Sequence, residues 1–150
     1  MSLTAFVVGV LLAAGVSIFA KVVKLDRDGA FYPTVMIVIA LIYVLFAAMT
    51  GSVQTILLEA IGTIAFTIAA VIGFKTRLWI VAAALAAHGI FDAFHGQMVS
   101  NPGVPEWWPS FCAAYDIVAG GCMALLLWSG SIGTVAAAAA VVRAPSGTVR

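Results

Sequence analysis

Five uninterrupted apolar runs, each long enough to cross a lipid bilayer, dominate this chain of 150 residues. A helix spans the hydrocarbon core with about 20 predominantly apolar residues. The runs centre on Leu3–Ala20, Phe31–Thr50, Val53–Phe74, Leu78–Phe94 and Ser110–Trp128. They are continuous and do not alternate polar with apolar, which predicts helices instead of barrel strands. Composition agrees, with 64% hydrophobic and 9% charged residues and a mean hydropathy of +1.18. A soluble domain is roughly 45–50% apolar and about 25% charged. A water-soluble core of this length could not hide the surplus, and intrinsic disorder requires the opposite composition. The net charge of +1 offers no basic footprint for nucleic acid. The expected fold class is an all-α polytopic membrane helix bundle with five transmembrane helices. It forms one domain over residues 1–130, followed by a flexible or interfacial tail over 131–150, with the lipid bilayer as its surroundings.

Basic residues flanking spans are retained on the cytoplasmic side. Lys21, Lys24 and Arg27 lie in the first connection, Lys75 and Arg77 in the third, and Arg143 and Arg150 in the tail. Five spans put all seven of them on one side. The expected orientation is N-terminus outside and C-terminus in the cytoplasm, in a bacterial inner membrane. No basic residue precedes the first run, and Ile18-Phe19-Ala20 lacks a small-x-small cleavage pattern, so the first helix is expected to be retained. Pro33 suits the first turn of the second span, with Asp28 capping nearby. Trp107 and Trp108 read as an outer aromatic belt and Trp79 as an inner one. Cys112 and Cys122 sit about 15 Å apart along one helix and cannot bridge. Nucleotide loops, zinc-finger spacings and a GxSxG elbow are all missing from the sequence.

Ionisable side chains inside spans are costly and by default mark function. The fourth span reads His88-Gly-Ile-Phe-Asp92-Ala-Phe-His95. At about 100° per residue, its three polar members fall within an arc of about 60° on one helix face. The fifth span carries Cys112 and Asp116, again i and i+4, and the third carries Glu59 on a stripe with Thr55, Thr63 and Thr67. Counted from the outer ends of their spans, His88, Asp116 and Glu59 all lie about 10 Å deep. Three helices thus deliver ionisable groups to one level of the outer leaflet. His88-x-x-Phe91-Asp92 and Cys112-x-x-Tyr115-Asp116 repeat one form, a ligand type and then an aromatic followed by an aspartate. Ala84, Gly89, Gly120 and Ala124 are small enough for close helix approach, within the chain or in a homo- or hetero-oligomer.

Imidazoles with carboxylates suit Zn²⁺ or another divalent first-row metal. Ligands at i, i+4 and i+7, completed from facing helices, match how bundles build metal sites. The candidate metal ligands are His88, Asp92, His95, Asp116 and Cys112. Asp116 and Glu59 are the candidate proton acceptors for a metal-activated water. Two readings stand beside this one. The cluster can be a structural network that fixes helix packing in a non-enzymatic membrane subunit or scaffold, or a metal-free pathway for protons or small solutes. Glu59 could equally be neutral and hydrogen-bonded to Thr55 or Thr63, and His95 could be merely interfacial.

Three pieces carry a resemblance: Arg27-Asp28-Gly-Ala-Phe31-Tyr32-Pro33-Thr34, His88-Gly89-x-x-Asp92-x-x-His95, and Val104-Pro105-x-Trp107-x-Pro109-x-Phe111-Cys112-x-x-x-Asp116. In these the chain resembles a family of small, uncharacterised bacterial multipass membrane proteins, from the second helix to the fifth. That resemblance implies the fold and supplies no reaction. A more distant likeness, to the membrane hydrolase superfamily of alkaline ceramidases, implies an intramembrane zinc held by His and Asp. This chain departs from that pattern in having five spans instead of seven and no matching serine.

Overall fold

The computed structural model describes residues 2–132. Over these the chain is all-helical: α1 (Leu3–Val23), α2 (Phe31–Thr50), α3 (Val53–Lys75), α4 (Trp79–Met98) and α5 (Trp108–Trp128). Each of the five is long and apolar enough to cross a membrane, so the protein is a multi-pass membrane protein. The expected tail lies almost wholly outside the described residues. Of its described part, Ile132 is buried against the core.

The element boundaries follow local chemistry. Ser2 and Ser52 cap α1 and α3, each side-chain oxygen accepting from the backbone N–H three residues on. Lys24 ends α1 in the left-handed region at φ 64°, and its N–H and that of Leu25 satisfy the last carbonyls of the helix. Asp28 is not the cap of α2. Its carboxylate accepts from the N–H of Ala30, one residue before the helix, and Ala30 occupies the cap position without a side-chain bond. α5 begins at Trp108, two residues before the apolar run read from the sequence, because Pro109 fits the first turn, where no N–H is required. α4 continues past Phe94 to Met98, which places His95 a full turn inside the helix end.

Apolar side chains gain little by leaving lipid for protein, so helices in a membrane associate through close packing of small residues and polar contacts. α5 is the hub, packed against both α4 and α1, while α3 packs against α2 and α4. A Cβ on Gly89 of α4 would lie 2.8 Å from the carbonyl oxygen of Ala113, and one on Gly120 of α5 would lie 3.0 Å from that of Ala82. The small faces expected on these helices are thus used within the chain. The sequence reading overlooked a third: α1 buries Ala5, Gly9, Ala13, Ser17 and Ala20, with Gly9 seated on the carbonyl of Phe111. Leu11, Leu45, Leu57, Ile61, Ile90 and Leu125 face outward and are exposed, as lipid contact requires.

The interior is stratified. Toward the end that carries the Lys/Arg-bearing connections lies an apolar core of Tyr32, Met36, Leu78, Val81, Leu85 and Met123. Toward the end with the α2–α3 and α4–α5 connections, the buried positions turn polar: Glu59, His88, Asp92, His95, Asn101 and Asp116.

Candidate functional site

α4 projects His88, Asp92 and His95 inward from successive turns, with exposures of 2%, 1% and 2%. Gly89, next to His88, admits the backbone of α5 so closely that Asp116 reaches across the interface. The Nδ1 of His88 lies 2.7 Å from Oδ2 of Asp116 in a buried hydrogen bond. The same nitrogen lies 3.3 Å from Oδ2 of Asp92, an ion-pair contact without hydrogen-bond geometry. One ligand atom from each of His88, Asp92 and Asp116 falls within 4.8 Å of the others. Both oxygens of Asp92 and Oδ1 of Asp116 are buried with no hydrogen-bond partner among the described residues.

A second cluster lies toward the α4–α5 connection. His95 Nε2 is 2.9 Å from Oε1 of Glu59 on α3. Asn101, in the connection, donates from Nδ2 to the same Glu59 oxygen at 2.8 Å and to the carbonyl of Tyr43 at 3.2 Å. The Tyr43 ring stacks on His95 with centroids 4.1 Å apart and meets Phe91 edge-on. Phe66 packs edge-on against His88 at 4.6 Å.

The polar level expected from the sequence is therefore two clusters. His95 was expected to share a ligand set with His88, Asp92 and Asp116. It faces Glu59 instead, because seven residues of helix separate it from His88 by about 10 Å of rise. Its side chain is buried in the protein, at 2% exposure. Cys112 is buried one turn before Asp116, about 6 Å along α5, and stands outside the three-residue group. Glu59 does not bond the threonines of its own stripe. Thr63 donates to the carbonyl of Ala40 at 2.6 Å, and Thr55 to Ser52 at 3.0 Å. Trp107 and Trp79 are half exposed, as belt residues should be, but Trp108 turns its ring onto Phe46 with centroids 5.1 Å apart.

Tyr43 and Asn101 were missed. A tyrosine in mid-span is a weak signal that something polar lies opposite. Asn101 gave no signal, since its burial depends on the path of a connection that Gly103 seats against the carbonyl of Phe46. A void of about 10 Å³ lies between the clusters, lined by Tyr43, Glu59, Phe66, His88 and Phe91 among others. That is the scale of a single water molecule.

The fold and this site define a class: a multi-pass α-helical membrane protein with a His/Asp group buried in the polar half of its bundle. Compared with protein-family models, curated proteins and solved structures, the chain finds no match.

Proposed function

We propose that this protein binds a divalent first-row metal ion inside the membrane, at His88, Asp92 and Asp116. In this reading the site lies in the non-cytoplasmic half of a bacterial inner-membrane protein. The observation that carries it is the convergence of three ligand residues, one histidine and two aspartates, around buried carboxylate oxygens that have no hydrogen-bond partner among the described residues. An ionised carboxylate is costly to bury unless it is paired or coordinates a metal. Donors held about 2.0–2.1 Å from one ion at angles of about 90–110° sit about 3 Å apart. The spacings of 2.7 and 3.3 Å around His88 Nδ1 are close to that bite. One imidazole and two carboxylates suit Zn²⁺, Mn²⁺ or Fe²⁺ and leave positions open for water or substrate. Such a site serves metal handling or sensing, or metal-assisted hydrolysis with Glu59 as candidate proton acceptor.

Elemental analysis of detergent-purified protein tests the reading. Stoichiometric metal in the wild type and its loss in His88→Ala are expected. A metal-free wild type whose thermal stability His88→Ala leaves unchanged would overturn it.

The alternative, a scaffold with a structural polar core, is favoured by two observations. The His88–Asp116 and His95–Glu59 bonds each tie two helices together. Interhelical hydrogen bonds in a membrane average about 0.6 kcal/mol, enough to help fix register. Asp92→Asn and Asp116→Asn keep size and hydrogen-bonding capacity, so that alternative predicts retained function in both. Metal binding predicts loss in both.

A further inference from the structure

The surface at the α4–α5 connection bears a cavity of about 290 Å³, lined by the polar residues His95, Ser100, Asn101 and Glu106 together with Val99, Val104 and neighbouring prolines and glycine. Lys21, Lys24, Arg27, Lys75 and Arg77 lie toward the opposite end of the bundle, and no lysine or arginine among the described residues enters this lining. The ionisable groups around it are therefore carboxylates and an imidazole: exposed Glu106 at the rim, His95 in the wall and Glu59 immediately behind it. Beyond Glu59 comes the small void that touches His88. From the surface inward the order is open cavity, a wall made of the Glu59–His95–Asn101 hydrogen bonds, a water-sized void, and then His88, the one residue of the inner group that lines that void.

We infer that this cavity is the entry vestibule for a divalent cation and that the Glu59–His95–Asn101 cluster is its gate. The inference rests on the metal-binding reading of His88, Asp92 and Asp116, and adds the route and the residues that control it. A vestibule bearing a carboxylate, with no lysine or arginine among the described residues that line it, raises the local concentration of cations and repels anions. The gate is held by one amide: Asn101 Nδ2 ties Glu59 of α3 to the backbone of Tyr43 on α2. Asn101 belongs to a connection and not to a helix, so a shift of that connection removes both bonds together. It then leaves the Glu59 carboxylate, a hard oxygen donor, held by His95 alone on the vestibule side. His95 covers the same carboxylate from α4, clamped between it and the Tyr43 ring. The gate thus governs how fast an ion reaches the inner group, whereas the inner group sets how tightly it is held.

The test follows Co²⁺ uptake by metal-stripped, detergent-solubilised full-length protein, using the visible absorption of the bound ion in a stopped-flow instrument. Asn101→Ala is expected to speed loading and release at least tenfold with unchanged final stoichiometry. Glu106→Gln is expected to slow loading severalfold and to weaken its dependence on ionic strength. Because Asn101→Ala could perturb folding, a third arm uses Ser100→Cys, an exposed position in the vestibule wall. Loading is expected to slow sharply once that thiol carries a bulky maleimide, and to be normal before modification and in maleimide-treated wild type. Wild-type loading rates in all three arms would overturn the gate while leaving the metal site standing. A wild-type protein that takes up no Co²⁺ would overturn the metal reading itself, and the gate with it.

Discussion

His88 Nδ1 and Asp116 Oδ2 lie 2.7 Å apart across the α4–α5 interface, joining residues 28 positions apart in the chain. The contact depends on Gly89, where any side chain would collide with the backbone of Ala113. Gly89→Val should therefore push the helices apart and separate the pair. Overpacking of this kind costs about 1–3 kcal/mol, to be read as a lower thermal midpoint together with loss of bound metal. Gly96→Ala, on the same helix with nothing within 4 Å of the added methyl group, should leave bound metal unchanged and hold or slightly raise the midpoint, since alanine favours a helix more than glycine does.

Metal binding should depend on the inner group and not on every histidine. An ion that binds only the folded state stabilises it by about 2.7 kcal/mol at one hundred times its dissociation constant. Thermal denaturation with and without added Zn²⁺ should show an upward shift for wild type and for His95→Gln. The shift should vanish in His88→Ala. A shift lost equally in both histidine variants would mean that the two clusters act as one site.

Asp92→Asn and Asp116→Asn separate coordination from packing. Asn keeps the shape of the side chain and offers the buried His88 an acceptor, so the helical fold measured by circular dichroism should survive. Metal content by elemental analysis should fall to background in both, since a neutral amide is a poor ligand for these ions.

Tyr43 contributes through its ring. Its hydroxyl is buried beside Asp92 without hydrogen-bond geometry to any of the described residues, whereas the ring stacks on His95. Tyr43→Phe should leave the midpoint of thermal unfolding unchanged or slightly raised. Tyr43→Leu removes the aromatic pairing, worth about 0.5–1.5 kcal/mol, and should lower the midpoint.

Orientation is checked by labelling single cysteines in intact cells with a membrane-impermeant thiol reagent. Glu106→Cys should react from outside, and Arg77→Cys only after the membrane is opened. The reverse pattern would place the vestibule on the cytoplasmic side.

Much of this was legible in the sequence. The five spans follow from hydropathy, because a span must be apolar along its whole length whatever its neighbours are. His88, Asp92 and His95 on one face of α4 follow from the helical repeat, and Gly89 and Gly120 announce a close approach because small residues are what membrane helices pack with. The α1 stripe from Ala5 to Ala20 was open to the same reading.

Which polar residue meets which was decided only by the tertiary structure. The helical repeat fixes direction around an axis, but partners depend on the offset between neighbouring helices. That offset gives Asp116 to His88 and Glu59 to His95, where the sequence grouped all four. Asn101 lies beyond any periodic rule, since its burial is set by how a connection folds back over the bundle. Local chain geometry and the demands of a lipid solvent are encoded residue by residue, whereas the relative depth of packed helices arises from many small contacts acting together and exists only once they are all made.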